Sequence, residues 1–394
     1  MEKKTARLYF IDAMRAWAIL MMLQGHFIDG LLDNAFRDPA NSAYVVWKYF
    51  RGITAPVFFT VSGFIFTYLL IKVPQRGLEN PRIKKGVKRG LQLLVIAYLL
   101  RLNLFGLFKG VIYKSFFLVD VLHCIGLSIL AIIGVYLLTH NSKKIYFPVS
   151  LLAITLVLFL FEPAYKQWDL SFMPAALANY ISRANGSVFT IIPWLGYTAF
   201  GGFLATIFTH YKNAKNLYHA AIPITAISGL ALIYFSSSFF VSLSEWSGIG
   251  LFKAIYSNNY LFIRLGDVLV VFAIFMLFRE YLKNKTFLRT GQNTLSIYVI
   301  HFIILYGSFT GMGLYYYFNH SLNPTLAITG AIGFMVLCSY LALLYDTHEE
   351  KIKASLNMAI GALWQLIAPL YLAIQRVLKS SFTRLLRAIG VVKN

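Results

Sequence analysis

The chain contains many runs of about 20 mostly apolar residues, and each run is long enough to cross the hydrocarbon core of a bilayer as a helix. Hydrophobic residues make up 58% of the sequence and charged residues only 13%. A backbone in lipid must satisfy its own hydrogen bonds, which favours helices. We therefore predict an all-α integral membrane protein with about ten transmembrane helices around a central cavity. The predicted spans are residues 8–30, 44–71, 90–108, 116–138, 145–161, 188–208, 218–236, 259–278, 294–317 and 325–345.

Lysine and arginine are concentrated in alternate loops between these spans. The loop from Lys72 to Arg89 holds seven basic residues, and the loop from Arg279 to Arg289 is also basic. The other loops are poorer in basic residues and carry acidic ones such as Asp33. By the positive-inside rule we predict a multi-pass protein of the cytoplasmic membrane with both termini in the cytoplasm. The basic residues behind the formal net charge of +21 are concentrated in the predicted cytoplasmic loops, where the positive-inside rule accounts for them. Nucleic acid is therefore not a predicted partner.

The last part of the chain differs from the spans. Residues 358–377 are apolar but contain Pro369 and have basic residues on both flanks. We predict an amphipathic or re-entrant helix there, and divide the chain into a transmembrane domain, 1–345, and a basic cytoplasmic or interfacial tail, 346–394. With only Cys124 and Cys338, neither a disulfide scaffold nor a thiolate metal site is predicted.

The first span carries a stripe of polar residues. Arg15 and His26 are eleven residues apart, so on a helix they share a face to within about 20° and lie about 16 Å apart along the axis. Asp12 lies one turn before Arg15, and Asp29 lies one turn after His26. With the amino terminus in the cytoplasm, Arg15 belongs to the cytoplasmic half of the membrane and His26 to the outer half.

Polar residues of other spans follow the same depth rule. Span four enters from outside, which places Asp120 and His123 in the outer half with His26. Span nine enters from the cytoplasm, and its Thr294, Tyr298 and His301 share one helical face.

The start of span nine is a second candidate for anion binding. Asn293 and Thr294 follow Lys283, Lys285 and Arg289, and a helix amino terminus near cations suits a phosphate group. The positive-inside rule alone also accounts for these cations.

Several segments together resemble a known family. The spacing of Arg15 and His26, with ten residues between them, is similar to the signature of the membrane acyltransferase-3 proteins. A wider pattern over residues 7–345 resembles bacterial proteins with a heparan-α-glucosaminide N-acetyltransferase-type domain, although Ala16 follows Arg15 where many members have glycine. The segments are IDAMRAWAILMMLQGH, APVFFTVSGF, DVLHCIGLS, PWLGYTAFGG and TLSIYVIHF.

The resemblance implies an enzyme that moves an acyl group, usually acetyl, from cytoplasmic acyl-CoA to a sugar hydroxyl or amine of a glycan or glycolipid on the outer side, without a metal. It implies that His26 is catalytic and that Arg15 serves the acyl-CoA side. The resemblance includes no residue beyond 345.

Two groups of site residues follow from these observations. Neutral His26 can act as a base, with Asp29 or Asp120 holding its ring, and His123, Tyr298 and His301 are candidate oxyanion donors. The predicted catalytic set is His26, Asp29, Asp120 and His123. The predicted acyl-CoA set is Asp12, Arg15, Asn293, Thr294, Tyr298 and His301.

Some alternatives remain open from the sequence. An acyl-histidine relay competes with direct transfer. Buried ionisable residues also suit a proton-coupled secondary transporter, although no pseudo-symmetric halves are visible in the hydropathy. A non-catalytic scaffold does not need ionisable residues aligned at both depths of one helix. The acceptor, the acyl chain and the oligomeric state are open as well.

Overall fold

A computed structural model describes residues 8–388 of the 394-residue chain. It divides into two compact units, Met1–Ala342 and Leu343–Asn394. Within the described residues the regular structure is helical, with two isolated β-bridges. The longer helices are α1 (Tyr9–Leu31), α2 (Ser42–Ile71), α3 (Pro81–Arg101), α4 (Val121–Thr139), α5 (Tyr146–Leu160), α6 (Ile191–Tyr211), α7 (Leu217–Ser247), α8 (Tyr260–Leu277), α9 (Thr294–Tyr306) and α10 (Pro324–Ala388).

The helices confirm an all-α integral membrane protein. Six of the described segments are long and apolar enough to span a bilayer: Ser42–Ile71, Lys114–Thr139, Ile191–Tyr211, Leu217–Ser247, Tyr260–Leu277 and Pro324–Ser355. The first helix is less apolar because it carries Asp12, Arg15 and Asp29, whereas α5 and α9 are shorter, at 15 and 13 residues. The total of ten spans therefore stays a prediction.

Several predicted helix boundaries are wrong: α3 ends at Arg101 and not at 108, α7 continues to Ser247 and not only to 236, and α10 continues beyond 345. Two further differences have a clear local cause. Helix α3 begins at Pro81, nine residues before the predicted start at 90, because Asn80 caps its basic first turns. Helix α9 ends at Tyr306, where Gly307 adopts a left-handed conformation with φ 68°, rather than continuing to residue 317. Residues 358–377 are helical, as predicted, within α10.

Close contacts between backbones hold the central helices together. A Cβ atom on Gly63 of α2 would overlap the carbonyl oxygen of Thr198 on α6, and one on Gly201 of α6 would overlap the carbonyl oxygen of Thr60. In lipid the hydrophobic effect does not drive helices together, so their association depends on close van der Waals packing. Small residues at the contact allow the two backbones to approach closely and so stabilise the pair. The same two glycines therefore fix the distance between α2 and α6.

An ion pair within α8 contacts α2 through Tyr49. Arg264 Nη1 lies 2.8 Å from Asp267 Oδ2, and the Tyr49 hydroxyl donates to the same carboxylate at 2.8 Å. The Arg264 guanidinium also lies 4.4 Å from the centroid of the Tyr49 ring. These contacts account for both charges as helix-packing residues.

Candidate functional site

Helices α1 and α9 lie side by side and run in the same direction. At one end Arg15 Nη2 donates to Thr294 Oγ1 at 3.1 Å. At the other end His26 Nδ1 lies 2.7 Å from the Tyr306 hydroxyl. The polar residues of this helix pair thus form two groups, which we name the Arg15 layer (Asp12, Arg15, Thr294) and the His26 layer (His26, His301, Tyr306).

The Arg15 layer is held by α1 and by the short helix Lys285–Gln292. Arg15 Nη1 lies 3.9 Å from the Asp12 carboxylate. A Cβ atom on Gly291 would overlap the carbonyl oxygen of Asp12, so glycine is what lets the short helix lie directly on α1. Asn293, at the corner before α9, donates from Nδ2 to the carbonyl of Arg289 at 3.1 Å. Asn293 is therefore a structural link at this corner.

A second cation lies near the Arg15 layer. Arg89 of α3 is within electrostatic range of Arg15. The sequence analysis did not place Arg89 in a predicted site, because the positive-inside rule already explains the basic loop to which it belongs. Two guanidinium groups and one carboxylate at this place make a suitable environment for an anionic ligand.

In the His26 layer, the two histidine rings lie close together, and the Tyr298 ring packs against them. The His26 ring centroid lies 5.4 Å from that of His301, and the His301 ring lies 4.8 Å from that of Tyr298. His301 is fully buried. Its ring lies close to the backbone carbonyls of Ile297 and Tyr298, one turn earlier on α9, without a hydrogen bond of good geometry. The His301 ring nitrogen that faces away from these carbonyls can bind a group that enters the layer.

Tyr306 is a residue that the sequence analysis missed. Tyr306 is the fifth residue after His301, so it lies about 140° around the helix from the face shared by Thr294 and His301. Tyr306 therefore does not belong to the polar face by which the other site residues of α9 were predicted. It reaches His26 because it occupies the last turn of α9, immediately before Gly307.

Asp120 and His123 form a buried cluster with Arg101 of α3. Arg101 Nε donates to Asp120 Oδ2 at 3.1 Å, and His123 Nδ1 lies 3.1 Å from Asp120 Oδ1. Asp120 also caps the start of α4, where its carboxylate accepts from the backbone N–H of Leu122. The Nε2 atom of His123 has no partner in the described residues.

This cluster reaches the His26 layer through an aromatic ring. The Arg101 guanidinium lies 5.7 Å from the centroid of the Phe302 ring on α9, and Phe302 follows His301. Asp120 and His123 therefore lie at the same end of the molecule as His26, which is where the depth rule places them.

Asp29 lies on the other flank of His26 and is far more open. Its Oδ2 accepts from Arg51 Nη2 at 2.6 Å, and its Oδ1 lies 3.7 Å from Arg37 Nη1. The Asp29 side chain is 39% exposed, compared with 7% for Asp120. Trp47 supports this flank: Arg51 lies 5.8 Å from its ring centroid.

The predicted partner of the His26 ring needs correction. We expected Asp29 or Asp120 to hold the imidazole, but both carboxylates are engaged by arginines, and the hydrogen bond in the structure comes from Tyr306. The reason is that each arginine provides a charge-assisted partner, which a carboxylate binds more strongly than a neutral ring.

The central cavity that we predicted among the helices does not open along the contact between α1 and α9, from the Arg15 layer to the His26 layer. Ile19 and Leu23 of α1 and Ile297 of α9 are fully buried between the layers. These apolar side chains fill the space on the direct line from Arg15 to His26. The polar groups at the two ends are therefore separated in this structure by a packed section of core.

A family model described as heparan-alpha-glucosaminide N-acetyltransferase, catalytic, matches residues 7–239. The comparison with curated proteins gives no match. The family match includes Arg15, His26, Asp120 and His123, while α9 lies beyond it. Among residues 8–388, no group of three or more His, Cys, Asp and Glu side chains is arranged to hold a metal ion.

The matched segment covers more than half of the chain and includes α1 to α6 and most of α7. Members of this family are membrane acetyltransferases that use acetyl-CoA as the donor. With its multi-pass helical architecture and this match, the chain belongs to the heparan-alpha-glucosaminide N-acetyltransferase catalytic family.

Proposed function

We propose that the protein transfers an acetyl group from cytoplasmic acetyl-CoA, bound at the Arg15 layer, to a sugar hydroxyl or amine at the His26 layer. The observation that carries the proposal is the parallel pair α1 and α9, which has a cationic contact at one end and a paired imidazole at the other. The basic loops assign the Arg15 end to the cytoplasm. The acceptor is then a glycan or glycolipid on the outer side of the cytoplasmic membrane.

The imidazole of His26 supplies the base. When its Nδ1–H donates to the Tyr306 oxygen, its Nε2 atom carries a free lone pair. This nitrogen takes the proton of the acceptor hydroxyl or amine as the acceptor oxygen or nitrogen attacks the thioester carbonyl. The carbon–sulfur bond then breaks, and the departing thiolate takes the proton back from the imidazolium. Tyr306 acts as a positioning residue because it selects the tautomer.

The developing oxyanion needs a hydrogen-bond donor near His26. His301 suits this role because its ring is 5.4 Å from His26 and it has no well-formed hydrogen bond among the described residues. A neutral imidazole carries one N–H, which it can aim at the negative oxygen. His123 and Tyr298 are the alternative donors, and Tyr298 lies against the His301 ring.

The acceptor approaches from the exposed flank. Asp29 and Arg51 are 39% and 37% exposed, whereas His123 and His301 are fully buried. A sugar that reaches His26 from outside therefore passes the Asp29–Arg51 pair first, and these two side chains can bind its hydroxyl or amine groups.

The topology of the proposal keeps both termini in the cytoplasm. Parallel α1 and α9 require an odd number of spans between them, which agrees with the seven spans predicted between the first and the ninth. Residues 346–394 are then a basic cytoplasmic or interfacial tail beyond the transmembrane domain, 1–345. The amphipathic or re-entrant character of residues 358–377 belongs to the same proposal.

The test uses purified full-length protein in liposomes, with acetyl-labelled CoA and a panel of amino and hydroxyl sugars. We expect His26→Ala to abolish acetyl transfer and to keep acetyl-CoA binding, because it removes the base and leaves Arg15 intact. His219→Ala is the matched control, since His219 is exposed on α7. Full transfer by His26→Ala would remove His26 from the mechanism.

The same assay separates the alternatives. Label on the protein that is lost in His26→Ala indicates an acyl-histidine relay, and label on the sugar alone indicates direct transfer. A proton-coupled transporter, which the family match does not favour, would label neither and would produce a proton-driven flux in the liposomes.

The packed seam makes a second test necessary. For the thioester to pass from Arg15 to His26 along α1 and α9, the seam at Ile19, Leu23 and Ile297 must open. We expect Ile297→Phe to slow acetyl transfer at least about tenfold without weakening acetyl-CoA binding, because the larger ring blocks a site with no spare volume. Ile303→Phe, on the 40% exposed face of the same helix, is the control. Equal activity of both variants would mean that the donor uses another route.

A further inference from the structure

A cavity of about 830 Å³ lies where helices α2, α4, α5 and α6 meet. No residue of the Arg15 layer or the His26 layer lines it. It is formed by the ends of α2, α4 and α6, the start of α5 and the adjoining loops. None of α1, the short helix Lys285–Gln292 or α9 contributes to its lining. The cavity is therefore separate from the Arg15 layer. We name it the basic cavity.

The basic cavity collects positive charge without a balancing carboxylate. Lys72, Arg76 and Lys144 line it, together with His140 and His210, and no Asp or Glu does. Within the described residues, none of the three cations has a carboxylate partner, unlike Lys283, which lies 3.1 Å from Glu280. The positive-inside rule explains the side of the membrane on which these cations lie. It does not explain why they converge on one cavity.

The mouth of the cavity is apolar and exposed. Ile145, Val149 and Ile207 line the cavity and are 58%, 50% and 41% exposed. In a membrane protein, exposed aliphatic side chains next to a helix end contact lipid chains. A ligand of this site must therefore carry a negative charge at one end and an apolar part at the other.

We propose that the basic cavity binds the headgroup of an acidic phospholipid from the cytoplasmic leaflet. The phosphate contacts Lys72, Arg76 and Lys144, and the acyl chains lie along Ile145, Val149 and Ile207. Basic pockets between transmembrane helices at this membrane surface suit such headgroups. A water-soluble nucleotide would match the cations but not the exposed aliphatic mouth. The site does not depend on acetyl transfer.

The experiment titrates full-length detergent-solubilised protein with phosphatidylglycerol and with phosphatidylcholine of the same acyl chains, and counts bound lipid by native mass spectrometry. We expect selective retention of phosphatidylglycerol, and about thirtyfold weaker retention by Lys72→Ala/Lys144→Ala, given about 1 kcal/mol for each cation near an anionic headgroup. The matched control is Lys84→Ala/Lys85→Ala, which removes the same charge from exposed positions on α3 outside the cavity.

Three results would overturn the proposal: equal retention of the two lipids, an equal loss in the control, or a Lys72- and Lys144-dependent binding of adenosine 3′,5′-bisphosphate in place of lipid. The charge-conserving variant Lys72→Arg/Lys144→Arg keeps the proposal testable if the alanine variant does not fold, because it should retain phosphatidylglycerol. Acetyl transfer, measured in parallel, is expected to persist in all variants that fold, so a failure here is distinct from a failure of the proposed function.

Discussion

The two flanks of His26 are built from the same chemistry but differ in their access to solvent. On one flank Arg101 binds Asp120, and on the other Arg51 binds Asp29. The Asp120 side chain is 7% exposed and the Asp29 side chain 39% exposed. A carboxylate–arginine pair can therefore have two roles within one site, and burial decides which role it takes.

Burial changes the role because it changes what happens when one partner is lost. A buried charge that loses its partner remains without compensation, whereas water and salt compensate an exposed one. The Asp120 flank is thus suited to holding helices α3 and α4 in place. The Asp29 flank is suited to exchanging its contacts with a ligand.

The largest expected effect separates these roles by stability. Asp120→Asn keeps an amino-terminal cap for α4, since asparagine is a good cap, but leaves Arg101 without its carboxylate. We expect a loss of about 3 kcal/mol or more in the free energy of unfolding, compared with within about 1 kcal/mol for Asp29→Asn.

The measurement is the unfolding of both variants in the same detergent, followed by helical signal. A similar stability for the two variants would mean that burial does not distinguish the flanks. Lower activity of Asp120→Asn in proportion to the folded fraction would assign it to structure, and a further loss would assign it to catalysis as well.

The second prediction concerns the residue between the flanks. Tyr306→Phe removes the hydroxyl that lies 2.7 Å from His26 Nδ1 and keeps the ring. We expect kcat to fall about tenfold, part of the contribution of a positioned base, with little change in KM for acetyl-CoA. Tyr315→Phe is the control, because its ring lies 5.9 Å from that of Tyr306 and its hydroxyl has no hydrogen bond among the described residues. A fall in kcat for both variants would point to packing rather than to the tautomer.

The sequence predicts the helical fold and the residues of the first helix well, for a physical reason. Helical spacing and apolar length are local properties, so α1 is found within one residue of its predicted start and end, at Tyr9–Leu31. The direction of each helix follows from alternation across the membrane. This places Thr294 at the same depth as Arg15, and the structure joins the two side chains. Tyr298 and His301, which we assigned to the acyl-CoA set with Arg15, lie instead at the His26 end.

The remaining features depend on contacts between distant segments. The partners of Asp29 are Arg51 of α2 and Arg37 of the loop before it, and no periodic pattern connects those positions. Tyr306 lies off the polar face of α9 and reaches His26 only because the helix ends at Gly307. The first turns of α3 are basic, so an apolar run does not mark them as part of the helix. Asn80 and Pro81 are nevertheless a recognisable start signal.

The smallest expected effect tests the open flank directly. Asp29→Asn removes the negative charge between Arg51 and Arg37 and keeps the shape of the side chain. If this flank receives the acceptor, the variant should raise KM for the sugar a few-fold, as expected for the loss of one exposed charge-assisted contact, and leave KM for acetyl-CoA unchanged. Asp33→Asn, on the exposed turn after α1, is the control. An increase in KM for acetyl-CoA instead would place the donor, and not the acceptor, on the exposed side of His26, which would reverse the direction of transfer that we propose.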